Sequence, residues 1–168
     1  MKKSPARKIV EVALIAAIYS AATYLSASLN LAYGPLQLRF SEVFNILAVF
    51  TPAAVPGLTL GCLIANIASP YGIVDMLLGS LATFLTAVCS YFFAKRHQRL
   101  SPVAVSVFAA FWNSALVGIS MGLFLPKGST FLQYAVPALN IGLSEFTICC
   151  VPGIPLYHWL NKHKNILF

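Results

Sequence analysis

LQLRFSEVFNILAVFTPAAVPGLTLGCLIANIASPYGIVDMLLGSLATFLTA, residues Leu36–Ala87, is apolar almost throughout, yet it carries Arg39, Glu42 and Asp75. Farther along, Glu145 stands inside a second apolar run. A charge placed in hydrocarbon is costly even after snorkelling, so an acid within such a run marks a functional site by default. Three of the four carboxylates are of this kind, and Arg39 is the basic residue that keeps them company.

Composition sets the class. The chain has 168 residues, of which 59% are hydrophobic and only 9% charged, and its mean hydropathy is +0.82. Soluble domains are about a quarter charged, so the chain reads as an all-α integral membrane protein. Its length fits one domain, residues 1–168, with no room for a separate soluble unit. The net charge of +7 sits in short basic clusters between apolar runs. That is the pattern of topology determinants rather than of a nucleic-acid surface. Cys62, Cys89, Cys149 and Cys150 all fall in apolar segments without CxxC or Cys/His ligand spacing. They read as small buried residues, with neither disulfide nor metal site expected. The N-terminal MKKSPARK lacks a following small-residue cleavage site and reads as the flank of a retained first helix.

Six apolar segments can be drawn: 8–31, 36–50, 52–68, 73–94, 102–125 and 132–160. Gly34-Pro35, Pro56-Gly57, Pro70 with Gly72, and Pro126 with Gly128 punctuate them. The second is short for a crossing and the third marginal. Lys2, Lys3, Arg7 and Lys8 precede the first segment. Lys95, Arg96 and Arg99 separate the fourth from the fifth, and Lys162 and Lys164 follow the sixth. If all three clusters are cytoplasmic, the crossings between them must be even in number, and six segments supply four and then two. The expected fold is therefore a six-helix transmembrane bundle with cytoplasmic N- and C-termini. Arg39 and Lys127 then fall outside. Arg39, Glu42, Asn66, Asp75 and Asn140 lie in the outer half, while Trp112, Asn113 and Glu145 lie near the middle.

Each polar residue has a plain and a functional reading. Arg39 and Glu42, three apart, would share a helix face as an interfacial ion pair, or Glu42 meets a ligand that Arg39 orients. Asp75 is either a first-turn acid complementing the helix dipole or a ligand contact. Glu145, the deepest, must find a partner, take a proton or bind something. Asn66, Asn113 and Asn140 either bond across helices or meet the ligand. Trp112 and Tyr71 either pack or stack on a flat ring. His97, His158 and His163 read as interfacial.

Two stripes of small residues recur every four positions: Ala13, Ala17 and Ala21 on the first segment, and Gly57, Gly61 and Ala65 on the third. Small side chains let membrane helices approach closely. The third-segment stripe reads as internal packing; the first is either packing or a docking face for another membrane protein. The chain has no GxxxxGK[ST] or HExxH, which disfavours an ATP-binding site or a metalloprotease of those types.

The R-x-S-E at Arg39–Glu42, the P-G-L-x-x-G-C-x-x-A-N at Pro56–Asn66 and the D-x-x-x-G-S-L-A-T at Asp75–Thr83 resemble the QueT family. These are substrate-binding S-components of energy-coupling factor (ECF) transporters, associated with queuosine precursors. The resemblance implies a six-helix S-component in a prokaryotic cell membrane. It would capture its substrate at the outer face and work with a transmembrane T-component and two ABC ATPases that hydrolyse ATP. It needs no cofactor of its own. The implied substrate is a 7-deazaguanine base, with or without an aminomethyl group. An A-x-x-x-A pattern docks the T-component in S-components, which points to Ala13, Ala17 and Ala21. On this reading one of Glu42 and Glu145 reads the ring edge, and Asp75 or the other acid meets an amine. Asn66, Asn113 and Asn140 serve the remaining ring atoms. The alternatives are an S-component for a thiamine- or riboflavin-like vitamin, an integral-membrane enzyme, and a carrier working alone.

Overall fold

A computed structural model describes residues 4–33, 37–123 and 130–167, and all its elements are helical. The Gly34-Pro35 and Pro126/Gly128 breaks and Lys2, Lys3 and Lys127 lie outside the described residues. The α-helices are α1 (Pro5–Ser28), α2 (Ala54–Asn66), α3 (Gly72–Arg96), α4 (Ser101–Leu123), α5 (Phe131–Cys150) and α6 (Gly153–Leu167). A 3-10 helix, Phe40–Val49, joins α1 to α2, and a 3-10 turn, Gln98–Leu100, joins α3 to α4.

The second expected segment is thus a 3-10 helix, and it is the axis of the molecule, touching all six α-helices. Its contacts with α1 run in opposite order. Phe40 N donates to Ser26 Oγ, Thr23 to Ser41, Tyr19 to Glu42, and Thr51 to Glu11. A 3-10 helix rises about 2.0 Å per residue, so this short element covers about 20 Å. The stretch of α1 from Glu11 to Ser26 covers about 22 Å at its shallower rise. Ten residues therefore return the chain to the end where α1 began.

α2 runs alongside α1 in the same direction. A Cβ on Gly57 would lie 2.8 Å from Ile15 Cβ, and one on Gly61 would lie 2.8 Å from Tyr19 Cβ and 2.9 Å from the Ala16 carbonyl. The glycine stripe is therefore internal packing, as the sequence suggests. α3 turns back, α4 returns beside it with Thr86 Oγ1 donating to Phe108 O, and α5 returns beside α4 with Ser114 Oγ donating to Ala138 O. The sixth expected segment is not one rod. It turns at Val151-Pro152 between α5 and α6, because prolines 152 and 155 remove helix donors there. Tyr157 of α6 donates to Gln98 O and packs on Phe50.

These contacts gather the start of α1, the end of the 3-10 helix, the α3–α4 turn and α6 at one end of the bundle. Arg7, Lys8, Lys95, Arg96, Arg99, Lys162 and Lys164 belong to those segments. Side chains are sorted oppositely to a soluble protein: Leu14, Leu25, Ile67, Phe92, Phe111 and Leu143 are exposed, while many serines, threonines, amides and acids are buried. Four stretches, Pro5–Ser28, Gly72–Arg96, Gln98–Gly118 and Phe131–Lys164, are long and apolar enough to cross a membrane, and Phe40–Val49 and Ala54–Asn66 are shorter apolar helices. An apolar outside around a polar inside is the arrangement that lipid requires.

Candidate functional site

In a 3-10 helix, residues three apart eclipse one another. Glu42 and Asn45 therefore stand on one ridge of Phe40–Val49, both fully buried. Asn45 Nδ2 donates to Glu42 Oε2 at 2.6 Å, and Tyr19 Oη of α1 donates to Glu42 Oε1. Both carboxylate oxygens are thus held by neighbours. Cys149 Sγ of α5 reaches the Glu42 backbone carbonyl at 3.4 Å, bringing α5 against the same ridge.

Toward the Ser28 end of α1 lies a second layer. Asp75, in the first turn of α3, accepts from Ser69 Oγ at 2.5 Å and sits 3.6 Å from Arg39 Nη2. Arg39 Nε donates to the Ala32 carbonyl at 2.8 Å, and its guanidinium lies 5.2 Å from the centre of the Tyr33 ring. Tyr33 in turn donates to Ala65 O. Asn66 Nδ2 reaches the Asp75 carbonyl at 3.3 Å. That approach depends on Gly79, where a Cβ would come within 2.6 Å of Asn66 Nδ2. The ion pair expected between Arg39 and Glu42 is corrected here: Arg39 pairs with Asp75, because the 3-10 path gives Glu42 to Tyr19 and Asn45.

Glu145 of α5 is only 1% exposed and lies within electrostatic reach of Glu42 and Arg39. Arg39, Glu42, Asn66, Asp75 and Glu145, all of them buried, stand in one polar column. Within it Arg39 Nη2, Asn45 Oδ1, Asn66 Oδ1, Asp75 Oδ1 and Glu145 Oε2 make no hydrogen bond, and nor does the buried Gln37 Nε2, two residues before Arg39. Buried polar atoms are nearly always paired, with protein or ordered water, so this concentration of unused donors and acceptors marks the column as the candidate site.

The remaining candidates stand differently. Asn113 donates to Ala109 O of its own helix, Trp112 packs edge-on to Phe111, and Asn140 is half-buried. No described hydrogen bond or ion pair joins these three to the acids. Ala13, Ala17 and Ala21 are all exposed on the face of α1 opposite Ile15, Ala16 and Tyr19. Tyr19, Asn45 and Ser69 belong to the column although the sequence reading passed over them. The signal available for Asn45 was its spacing of three from Glu42. Tyr19 lies in an ordinary apolar run and offered none.

The family model for the QueT transporter matches residues 9–162. The chain belongs to the QueT transporter family. A curated relative, the queuosine precursor transporter QueT of Lactococcus lactis subsp. cremoris (strain MG1363), is 38% identical over 85 residues, which cover 51% of this chain and 50% of the relative. The chain thus spans about half the length of the curated relative it matches. No solved structure matches significantly. Family membership and four membrane-length apolar helices make this a membrane protein of the QueT transporter family.

Proposed function

We propose that the chain, as one six-crossing domain, is the substrate-binding S-component of an ECF-type importer for queuosine precursors. It captures a 7-deazaguanine base at the outer face of the cell membrane. A T-component and two ABC ATPases supply the energy. The observation that carries this reading is the buried column in which four acceptors and one donor are unused. A guanine-like edge is rich in adjacent N–H donors, and a carboxylate accepts them in charge-assisted pairs. Arg39 and Gln37 are suited to the ring carbonyl. The family match and the name of the Lactococcus relative, a queuosine precursor transporter, support the substrate class.

Orientation follows from charge. With the basic end cytoplasmic, both termini face the cytosol and the Arg39–Asp75 layer faces outward. Trp112, Asn113 and Asn140 then line the α4–α5 side, available to a ligand that reaches past the acids. The exposed stripe Ala13, Ala17 and Ala21 offers a flat surface for close helix contact, which we assign to the T-component.

Calorimetric titration of the purified protein with 7-deazaguanines tests the capture step. Each of Glu42→Gln and Glu145→Gln should weaken binding of the aminomethyl-bearing base at least about tenfold, or ~1.4 kcal/mol. Unchanged affinity in both variants would eliminate recognition by these acids. For docking, Ala17→Trp should abolish pull-down of the T-component while leaving ligand affinity intact; retained pull-down would remove the stripe from the interface.

A further inference from the structure

Resting on the reading above, we propose that Glu145 is the carboxylate that meets a cationic group on the ligand, so that the site selects an amine-bearing deazaguanine over a neutral one. The three buried acids are not equivalent. Glu42 has both oxygens occupied, by Tyr19 and by Asn45. Asp75 has one oxygen shared between Ser69 and Arg39. Glu145 Oε2 has no partner, although the residue is 1% exposed. No described ion pair reaches Glu145, and the nearby cation, Arg39, is already paired with Asp75.

The charges point the same way. The column holds Glu42, Asp75 and Glu145 against Arg39 as its buried base. Glu42 and Glu145 lie close enough to repel one another if both are ionised. A ligand bringing one positive charge would relieve that repulsion and give Glu145 the partner that a buried carboxylate requires. A neutral ligand of the same ring system would do neither. Glu42, held by two donors from its own chain, is a positioning residue: it fixes the ridge against which the ring lies.

The test compares 7-aminomethyl-7-deazaguanine with 7-cyano-7-deazaguanine by calorimetry on the full-length protein in detergent. Wild type should bind the amine at least about tenfold more tightly. In Glu145→Gln the preference should collapse to within about threefold with affinity for the cyano compound retained. In Glu42→Gln affinity for both should fall while their ratio stays. Glu145→Asp, which keeps the charge, should keep the preference and serves if the glutamine variant does not fold. Equal binding of the two compounds by wild type, or a ratio unchanged in Glu145→Gln, overturns the assignment while leaving deazaguanine capture standing. Failure of wild type to bind either compound overturns both.

Discussion

Arg39 and Asp75 illustrate how a membrane interior tolerates charge. Arg39 is 3% exposed and Asp75 is fully buried, so neither is solvated by water. Each survives through the other and through Ala32 O, Ser69 and Tyr33. Removing one partner of a buried pair strands the other, at about 3–5 kcal/mol. Asp75→Asn should therefore lower the apparent melting temperature in detergent more than Tyr19→Phe. The latter removes one donor from Glu42 and should cost about 1–3 kcal/mol. Equal melting temperatures for wild type and Asp75→Asn would show that the pair contributes nothing. These acids were legible in the sequence because a carboxylate in an apolar run is rare. Their partners were not, since tyrosine and asparagine occur in membrane helices for many reasons. The choice of Asp75 over Glu42 as the partner of Arg39 depends on a backbone path that residue spacing alone does not reveal.

Among the elements, the 3-10 helix Phe40–Val49 does the most with the least chain. Runs of this length are uncommon; here the steep rise lets a short segment span most of the bundle, and the eclipsed spacing aligns Glu42 with Asn45. Hydropathy identified an apolar segment that was too short and could not identify its pitch, because the apolar residues surround it on all sides. The α5–α6 break was signalled by prolines 152 and 155 but masked by continuous hydropathy across 132–160. The α1–α2 contact was readable, since glycines every four residues predict close approach. Gly61→Val should force α1 and α2 apart, as the added atoms would meet Tyr19 and the Ala16 backbone. An overpacking cost of about 1–3 kcal/mol is expected, seen as a lower melting temperature. Gly153→Ala, with nothing within 4 Å of the added atom, is the matched control and should melt as wild type does.

At the scale of the whole molecule, basic residues collect at one end and the Arg39–Asp75 layer lies toward the other. The even spacing of the basic clusters in the sequence anticipated this separation; the convergence of α1, α3 and α5 on a central 3-10 helix it did not, because no local pattern encodes which helices meet. On the proposed function, the separation would give transport a direction, with capture at one face and energy supplied from the other. Tyr33 is half-buried beside Arg39, at the end of the column away from the basic residues. In a chain with its native cysteines replaced, Tyr33→Cys should react in intact cells with a membrane-impermeant thiol reagent, and a bound 7-deazaguanine should protect it. Lys164→Cys should react only after permeabilisation. Labelling of position 33 that requires permeabilisation, or that proceeds equally with saturating ligand, would contradict an outward-facing capture site in this column.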